Sequence, residues 1–424
     1  MYRRWNDLRL VNPHATTMIA IGGWNEGSDK YSNMVSNAAS RKTFVDSVVK
    51  FLKEQNFDGL DVDWEYPGMQ AVGDADRKPG KDTDKANYIA LLKELHEAFK
   101  PHGFVLSAAV SAGKPTIDRA YDIKAMNQYL DFINVMTYDF HGGWEQKTAH
   151  NAPLHPLPGD VELDKEFTIE FAVDYWLKSG ADPKKIVMGM PLYGRTFTLA
   201  DPNQHDIGAK AVGKGGQAGP ITRLIGTLGY NEICQYLKSG YKVYRNDIQK
   251  IPYAVSGDQW IGFDDEQSIK AKVDFIKSKG LGGGMVWSID TDDFKGLCGK
   301  GKYPLLKTIS KELNGIDGNP DPVIIEHHHT KAPPPGPTTP MPGPTVAPVS
   351  LPTRKPGPTP QPGSTSAPGT FVCKASGFFP DPQDKTAYHE CINNGPGKFQ
   401  DILYHCGPGS IYDEEHHVCK LPPS

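Results

Sequence analysis

The sequence has no apolar run long enough to cross a bilayer, no basic stripe and no interleaving of basic and aromatic residues. Membrane insertion and nucleic-acid binding are therefore not expected. Its 46 basic and 50 acidic residues are spread along 424 positions, with a formal net charge of −4. No G-x-G-x-x-G or Walker loop marks a nucleotide site, and no cofactor is expected. No N-x-[ST] sequon offers a site for N-linked sugar. The first residues, MYRRWNDLRLVNPHA, lack the apolar core and small-residue cleavage site of a signal peptide. Cysteine is scarce: Cys234, Cys298, Cys373, Cys391, Cys406 and Cys419. No C-x-x-C pair or histidine spacing supports zinc, and no metal is expected. The even number, with four in the last 52 residues, points to disulfides and a secreted, extracellular protein.

Composition changes sharply near residue 316. Residues 331–370 hold 14 prolines and ten Ser or Thr, with no aromatic residue and no cysteine. Such a segment buries no core and reads as an extended linker, here placed at 317–370. It separates a large domain, 1–316, from a module of about 50 residues, 371–424, too small to be stable without staples. In the large domain, apolar β-rich runs at 16–23, 57–64, 104–112, 132–140, 185–194 and 282–290 alternate with amphipathic helical patterns such as 40–55 and 84–100. This alternation implies an α/β fold with a parallel sheet. Glu65, Tyr138, Asp139, Tyr193 and Trp287 fall at the C-terminal ends of their strands, which favours a closed (β/α)8 barrel of the TIM type. Residues 196–257 exceed a normal connection and read as an inserted α+β lobe.

The stretch FDGLDVDWEYPG, residues 57–68, places Asp58, Asp61, Asp63 and Glu65 among apolar residues. Strand alternation puts Asp61, Asp63 and Glu65 on one face and Leu60, Val62 and Trp64 on the other. With the apolar face under the outer helices, the acids point into the barrel. Like charges so close cannot all ionise cheaply, so a shared proton is expected, with a raised pKa on the outermost carboxyl. A protonated carboxyl at a barrel mouth is a candidate general acid. A divalent-cation site and a solvated acidic turn are the alternatives. The first needs more oxygen ligands; the second does not explain Leu60, Val62 and Trp64.

D-x-x-D-x-D-x-E before YP closely resembles the catalytic signature of family-18 chitinases, in particular those of arthropods. The resemblance continues through AIGGW (20–24), MTYDFHGGWE (136–145), GMPLYGRTF (189–197) and GGGMVWSIDTDDF (282–294). It implies an endo-acting, monomeric chitinase with a substrate-assisted retaining mechanism on chitin and chito-oligosaccharides. Glu65 would protonate the glycosidic oxygen, Asp63 and Tyr138 would hold the substrate acetamido group, and Asp61 would share a proton with Asp63. Asp58 reads as structural. Trp24, Trp144 and Trp287 resemble sugar-stacking residues, and Met136, Asp139, Tyr193, Arg195 and Met285 would line the cleft. Cys234–Cys298 matches a disulfide of related enzymes. A catalytically inactive chitin-binding lectin is the competing reading.

Residues 371–424 resemble a peritrophin-A-type chitin-binding domain with four of that family's usual six cysteines. The resemblance implies the pairs Cys373–Cys391 and Cys406–Cys419 in a disulfide-stapled, β-rich module. Phe379, Tyr388, Tyr404 and Tyr412 are its candidate sugar-stacking residues. Counted from the acidic strand, which the family places fourth, the barrel lacks its first two strands. The chain is therefore expected to be a fragment that expresses as aggregated or weakly active protein.

Overall fold

The computed structural model describes residues 2–69, 80–315, 377–382, 384–393, 399–405, 411–413 and 418–420. In the large unit, the first five strands are β1 (Met18–Gly22), β2 (Gly59–Asp63), β3 (Val105–Ser111), β4 (Phe132–Met136) and β5 (Ile186–Pro191). Next come β6 (Tyr193–Thr198), β7 (Thr227–Gly229), β8 (Lys242–Asn246), β9 (Ile251–Ser256) and β10 (Gln259–Gly262), and then β11 (Gly283–Trp287). Six of them form one parallel sheet in the order β1-β2-β3-β4-β5-β11. That is the sequential arrangement of a TIM-type barrel, with six of its eight strands among the described residues.

Local sequence explains the alternation. In the helix Asp84–Phe99, Tyr88, Leu91, Leu92, Leu95 and Phe99 recur at helical spacing and are all buried. The helix Ala38–Gln55 begins where the Asn37 side chain accepts from the Ser40 amide (2.9 Å) and ends at left-handed Asn56. Leu60 and Val62 on β2 and Trp64 just after it are at most 3 % exposed, so the apolar face lies under the helices as alternation requires. Trp64 Nε1 donates to Ser28 Oγ (2.6 Å), which satisfies the one polar atom of a buried indole.

The two edge strands differ from the inner ones. Residues of β3 and β5 are mostly buried, whereas β1 and β11 are partly exposed along nearly their whole length. Each has one hydrogen-bonded neighbour among the described residues, β2 for β1 and β5 for β11.

Between β5 and β11 the chain builds a separate antiparallel sheet, ordered β7-β6-β10-β9-β8. It runs from Tyr193 to Gly262, a few residues beyond each end of the 196–257 expected. Phe197, Tyr253 and Trp260 form its small core. The disulfide Cys234–Cys298 (Cα–Cα 5.5 Å) ties the lobe helix Tyr230–Lys238 to the segment after β11.

In the small unit, β12 (Gly377–Pro380), β13 (Ala387–Asn393) and β14 (Phe399–His405) form an antiparallel sheet, and β15 (Ile411–Asp413) pairs with β16 (Val418–Lys420). Tyr388 is paired with Tyr404, and Phe379 with buried His389. Phe379 and Tyr388 therefore lie on opposite faces and do not make one stacking surface. Tyr412 is on β15, Cys391 on β13 and Cys419 on β16, while Cys373 and Cys406 lie outside the described residues, so neither module disulfide is described.

Asp58 stands outside the acidic ladder. Its carboxylate accepts from the Thr17 amide (2.7 Å) and hydroxyl (3.0 Å) and pairs with Arg9, whose guanidinium also donates to the Asn56 carbonyl (2.8 Å). Asp58→Ala leaves these donors without their acceptor and should lower stability by about 1–3 kcal/mol in urea denaturation. Unchanged stability would remove the structural role.

Candidate active site

Strand β2 carries the acids inward. Asp61 Oδ1 accepts from Ser107 Oγ on β3 and from Asn134 Nδ2 on β4 (3.0 Å). Burial raises the Asp61 pKa, and these two donors oppose the rise. Two positions along, Asp63 is pushed up to about 7, first by burial, then by the charges of Glu65 and Asp61. Its Oδ1 is buried and bonds no protein group among the described residues. The raised pKa values thus fall on Asp61 and Asp63, the two inner acids, whereas the sequence placed the rise on the outermost one. Gly22 and Gly23 make room for it. The Gly23 amide donates to the Asp63 carbonyl (2.7 Å), and a Cβ on Gly22 (φ +113°) would stand 2.0 Å from that oxygen.

The opposite wall comes from β4, β6 and β11. Strand β4 stops at Met136 rather than continuing to residue 140: the Thr137 amide turns back to the Val135 carbonyl (2.9 Å), and Asp139 adopts a left-handed backbone (φ 58°), its amide donating to Asn151 Oδ1 (2.8 Å). Non-glycine residues in this conformation recur where surrounding structure imposes them at functional sites. Tyr138 is held protonated by burial, and its hydroxyl faces Met285 Sδ (3.8 Å). Asp139 Oδ1 accepts from Tyr193 Oη (2.7 Å) and Arg195 Nε (2.8 Å). Tyr193 does not end the preceding strand, as the sequence suggested. The chain bends at Leu192, whose amide donates to the Trp287 carbonyl (2.8 Å), and Tyr193 begins β6 of the lobe.

Trp24, Trp144 and Trp287 are 52 %, 59 % and 55 % exposed, whereas Trp64, Trp176 and Trp260 are fully buried. Trp24 follows β1, Trp144 follows β4 and Trp287 ends β11, so all three sit at the C-terminal side of the sheet. The Arg195 guanidinium lies 5.3 Å from the centre of the Trp144 ring. Half-exposed indoles around buried carboxylates suit a ligand with apolar faces and polar edges. Ser107, Asn134 and Asn151 were not singled out in the sequence. Ser107 had a signal: it is a polar residue on the inner face of an apolar strand, in register with Asp61.

Residues 1–292 match the pattern of the glycosyl hydrolases family 18, and residues 373–424 match the chitin binding peritrophin-A domain. The chain belongs to glycosyl hydrolase family 18. It is 37 % identical to mouse chitotriosidase-1, over 99 % of this chain and 83 % of that protein. The Group IV chitinase of Ostrinia furnacalis, solved alone and with allosamidin, superposes with a TM-score of 0.70 at 42 % identity, over 74 % of this chain and 83 % of that one. Human YKL-39, described as a pseudo-chitinase with retained chitooligosaccharide binding, superposes with a TM-score of 0.68 at 41 % identity, over 74 % and 84 %. The family-18 fold accounts for the inward ladder and the polar strand ends.

Removing the Asn134 amide takes away a donor that favours ionised Asp61. In Asn134→Leu the titration of the Asp61–Asp63 pair, followed by carboxyl carbon NMR, should move to higher pH. An unmoved titration would show that Asn134 does not tune the pair.

Proposed function

We propose that this chain is a secreted, endo-acting chitinase that cleaves β-1,4-linked N-acetylglucosamine polymer with retention, using the substrate's own acetamido group. The observation that carries the reading is Asp63: a buried carboxyl, with a pKa of about 7 and an unbonded oxygen, between Asp61 and Glu65. In this reading Glu65 protonates the glycosidic oxygen as the bond to the leaving sugar breaks. The acetamido oxygen attacks the anomeric carbon and forms an oxazolinium ion. Asp63 accepts the acetamido N–H, and the Tyr138 hydroxyl donates to the same group. Water then attacks the anomeric carbon, Glu65 takes its proton, and the acetamido group is released. Asp61, held by Ser107 and Asn134, exchanges the shared proton with Asp63. Trp24, Trp144 and Trp287 stack on sugar rings, with Met136, Asp139, Tyr193, Arg195 and Met285 shaping the cleft.

The domain order 1–316, 317–370 and 371–424 fits an enzyme held near insoluble polymer by a linked binding module, which raises effective concentration. Tyr388, paired with Tyr404 across the module sheet, is the stronger sugar-stacking candidate there. The disulfide Cys234–Cys298 supports an oxidising, extracellular setting. A binding-only role has a precedent in YKL-39, described as a pseudo-chitinase; the presence of Glu65 together with Asp61, Asp63 and Tyr138 favours catalysis.

Glu65→Gln should reduce turnover of an unactivated chito-oligosaccharide by roughly 10²–10⁴-fold while leaving oligosaccharide binding nearly unchanged. Near-normal turnover would reject Glu65 as the acid. Fully deacetylated oligomers, which lack the internal nucleophile, should be poor substrates, and comparable cleavage of acetylated and deacetylated chains would refute substrate assistance.

A further inference from the structure

The lobe carries an apolar loop that the chemistry above does not use. Ile221, Leu224 and Ile225 are 52 %, 58 % and 71 % exposed, and Val212 on the adjoining segment is 53 % exposed. Three exposed aliphatic side chains within five residues, with a fourth on a neighbouring segment of the lobe, are unusual for a surface without a binding role. The loop is held firmly from below. Buried Glu232 accepts from the amides of Ile221 (2.6 Å), Thr222 (3.0 Å) and Gly229 (2.9 Å), and Thr222 Oγ1 donates to the Thr227 carbonyl (3.2 Å). Arg223 adopts a left-handed backbone (φ 56°), with its amide on the Gly219 carbonyl (3.1 Å).

The same loop is joined to the cleft. Thr227 Oγ1 accepts from Arg195 Nη1 (2.7 Å), and Arg195 lies over Trp144 and binds Asp139. Three backbones are stacked with no room for side chains: a Cβ on Gly143 would lie 2.5 Å from Gly215 Cα, and one on Gly215 would lie 2.6 Å from Gly226 Cα. Gly143 precedes Trp144 and Gly226 follows Ile225, so the apolar loop is joined through Gly215 to the segment that carries Trp144.

We propose that Ile221, Leu224, Ile225 and Val212 form an extension of the cleft that contacts the pyranose faces of a long chitin chain beyond the Trp144 side. Sugar rings present C–H faces that aliphatic side chains cover well, while the loop's rigid base avoids an ordering cost on contact. The occupant is polymer rather than a short oligomer because the loop meets the cleft through Thr227, Arg195 and the Gly143–Gly215–Gly226 stack, next to Trp144, rather than at the carboxylates. The inference rests on the chitinase reading of that cleft.

The test compares the full chain with the triple variant Ile221→Ser, Leu224→Ser, Ile225→Ser, both retaining the C-terminal module. The expected result is an unchanged melting temperature, chitotetraose hydrolysis within about twofold, and a roughly tenfold fall in initial rate on insoluble chitin with weaker adsorption. An unchanged ratio of polymer to tetraose activity together with unchanged adsorption would overturn the proposal. So would loss of self-association alone, which would make the loop a contact between copies. Should the triple variant unfold, Leu224→Ser alone carries the same comparison. Adsorption that depends on the loop in a chain unable to cleave tetraose would sink the chitinase reading while supporting the surface. Absence of both cleavage and adsorption in the unaltered chain would sink both.

Discussion

Asp61 and Asp63 on one face of β2, with Glu65 two residues beyond, are three carboxyl groups that water solvates only in part, and much of the surrounding architecture answers that constraint. Asp61 receives two donors from neighbouring strands, Ser107 and Asn134, and can carry charge there. Asp63 receives none on Oδ1, and burial together with its charged neighbours pushes its pKa up to about 7. The difference between the two acids is therefore made by the adjacent strands rather than by residue type. Parallel register performs this sorting, since it sets Ser107 opposite Asp61 and leaves Asp63 opposite glycine at Gly22.

A second layer of contacts joins the sheet to the lobe. Asp139 receives Tyr193 and Arg195 from β6, and Arg195 in turn reaches Thr227 at the foot of the apolar loop. One charged cluster thus aligns the barrel wall with the lobe. The disulfide Cys234–Cys298 restrains the same junction from the other side, near the segment after Trp287. A shift of the lobe would displace Trp144 through Arg195, so the width of the cleft and the seat of the lobe are one mechanical problem.

Trp24 and Trp287, two of the three half-exposed indoles, stand at the ends of β1 and β11, the sheet strands with a single hydrogen-bonded neighbour among the described residues. Edge strands are held by one ladder instead of two, and local opening is easiest there. The carboxylates on β2 lie one strand inward, bracketed by β1 and β3. The acid ladder is consequently better supported than the aromatic surfaces proposed to hold the sugar.

Much of the large domain was legible from residue pattern alone. Period-two alternation placed Leu60, Val62 and Trp64 outward and the acids inward, and helical spacing marked Ala38–Gln55 and Asp84–Phe99. The six parallel strands among the described residues were located, because each is a short apolar run bounded by turn residues. The residues around the carboxylates were nameable too, since their motifs are short and contiguous. Strand ends were not legible. The bends at Asp139 and Leu192 depend on Asn151 and the Trp287 carbonyl, which are distant in sequence. The roles of Asn134 and Thr227 were equally hidden, as nothing local separates them from other polar residues in apolar segments. What the amino-acid order determined by itself was the set of elements and the face each acid occupies, because both follow from the fixed periods of helix and strand. Which acid holds the proton, and where the apolar loop lies relative to Trp144, was decided only by tertiary structure, because both depend on partners brought together from separate strands.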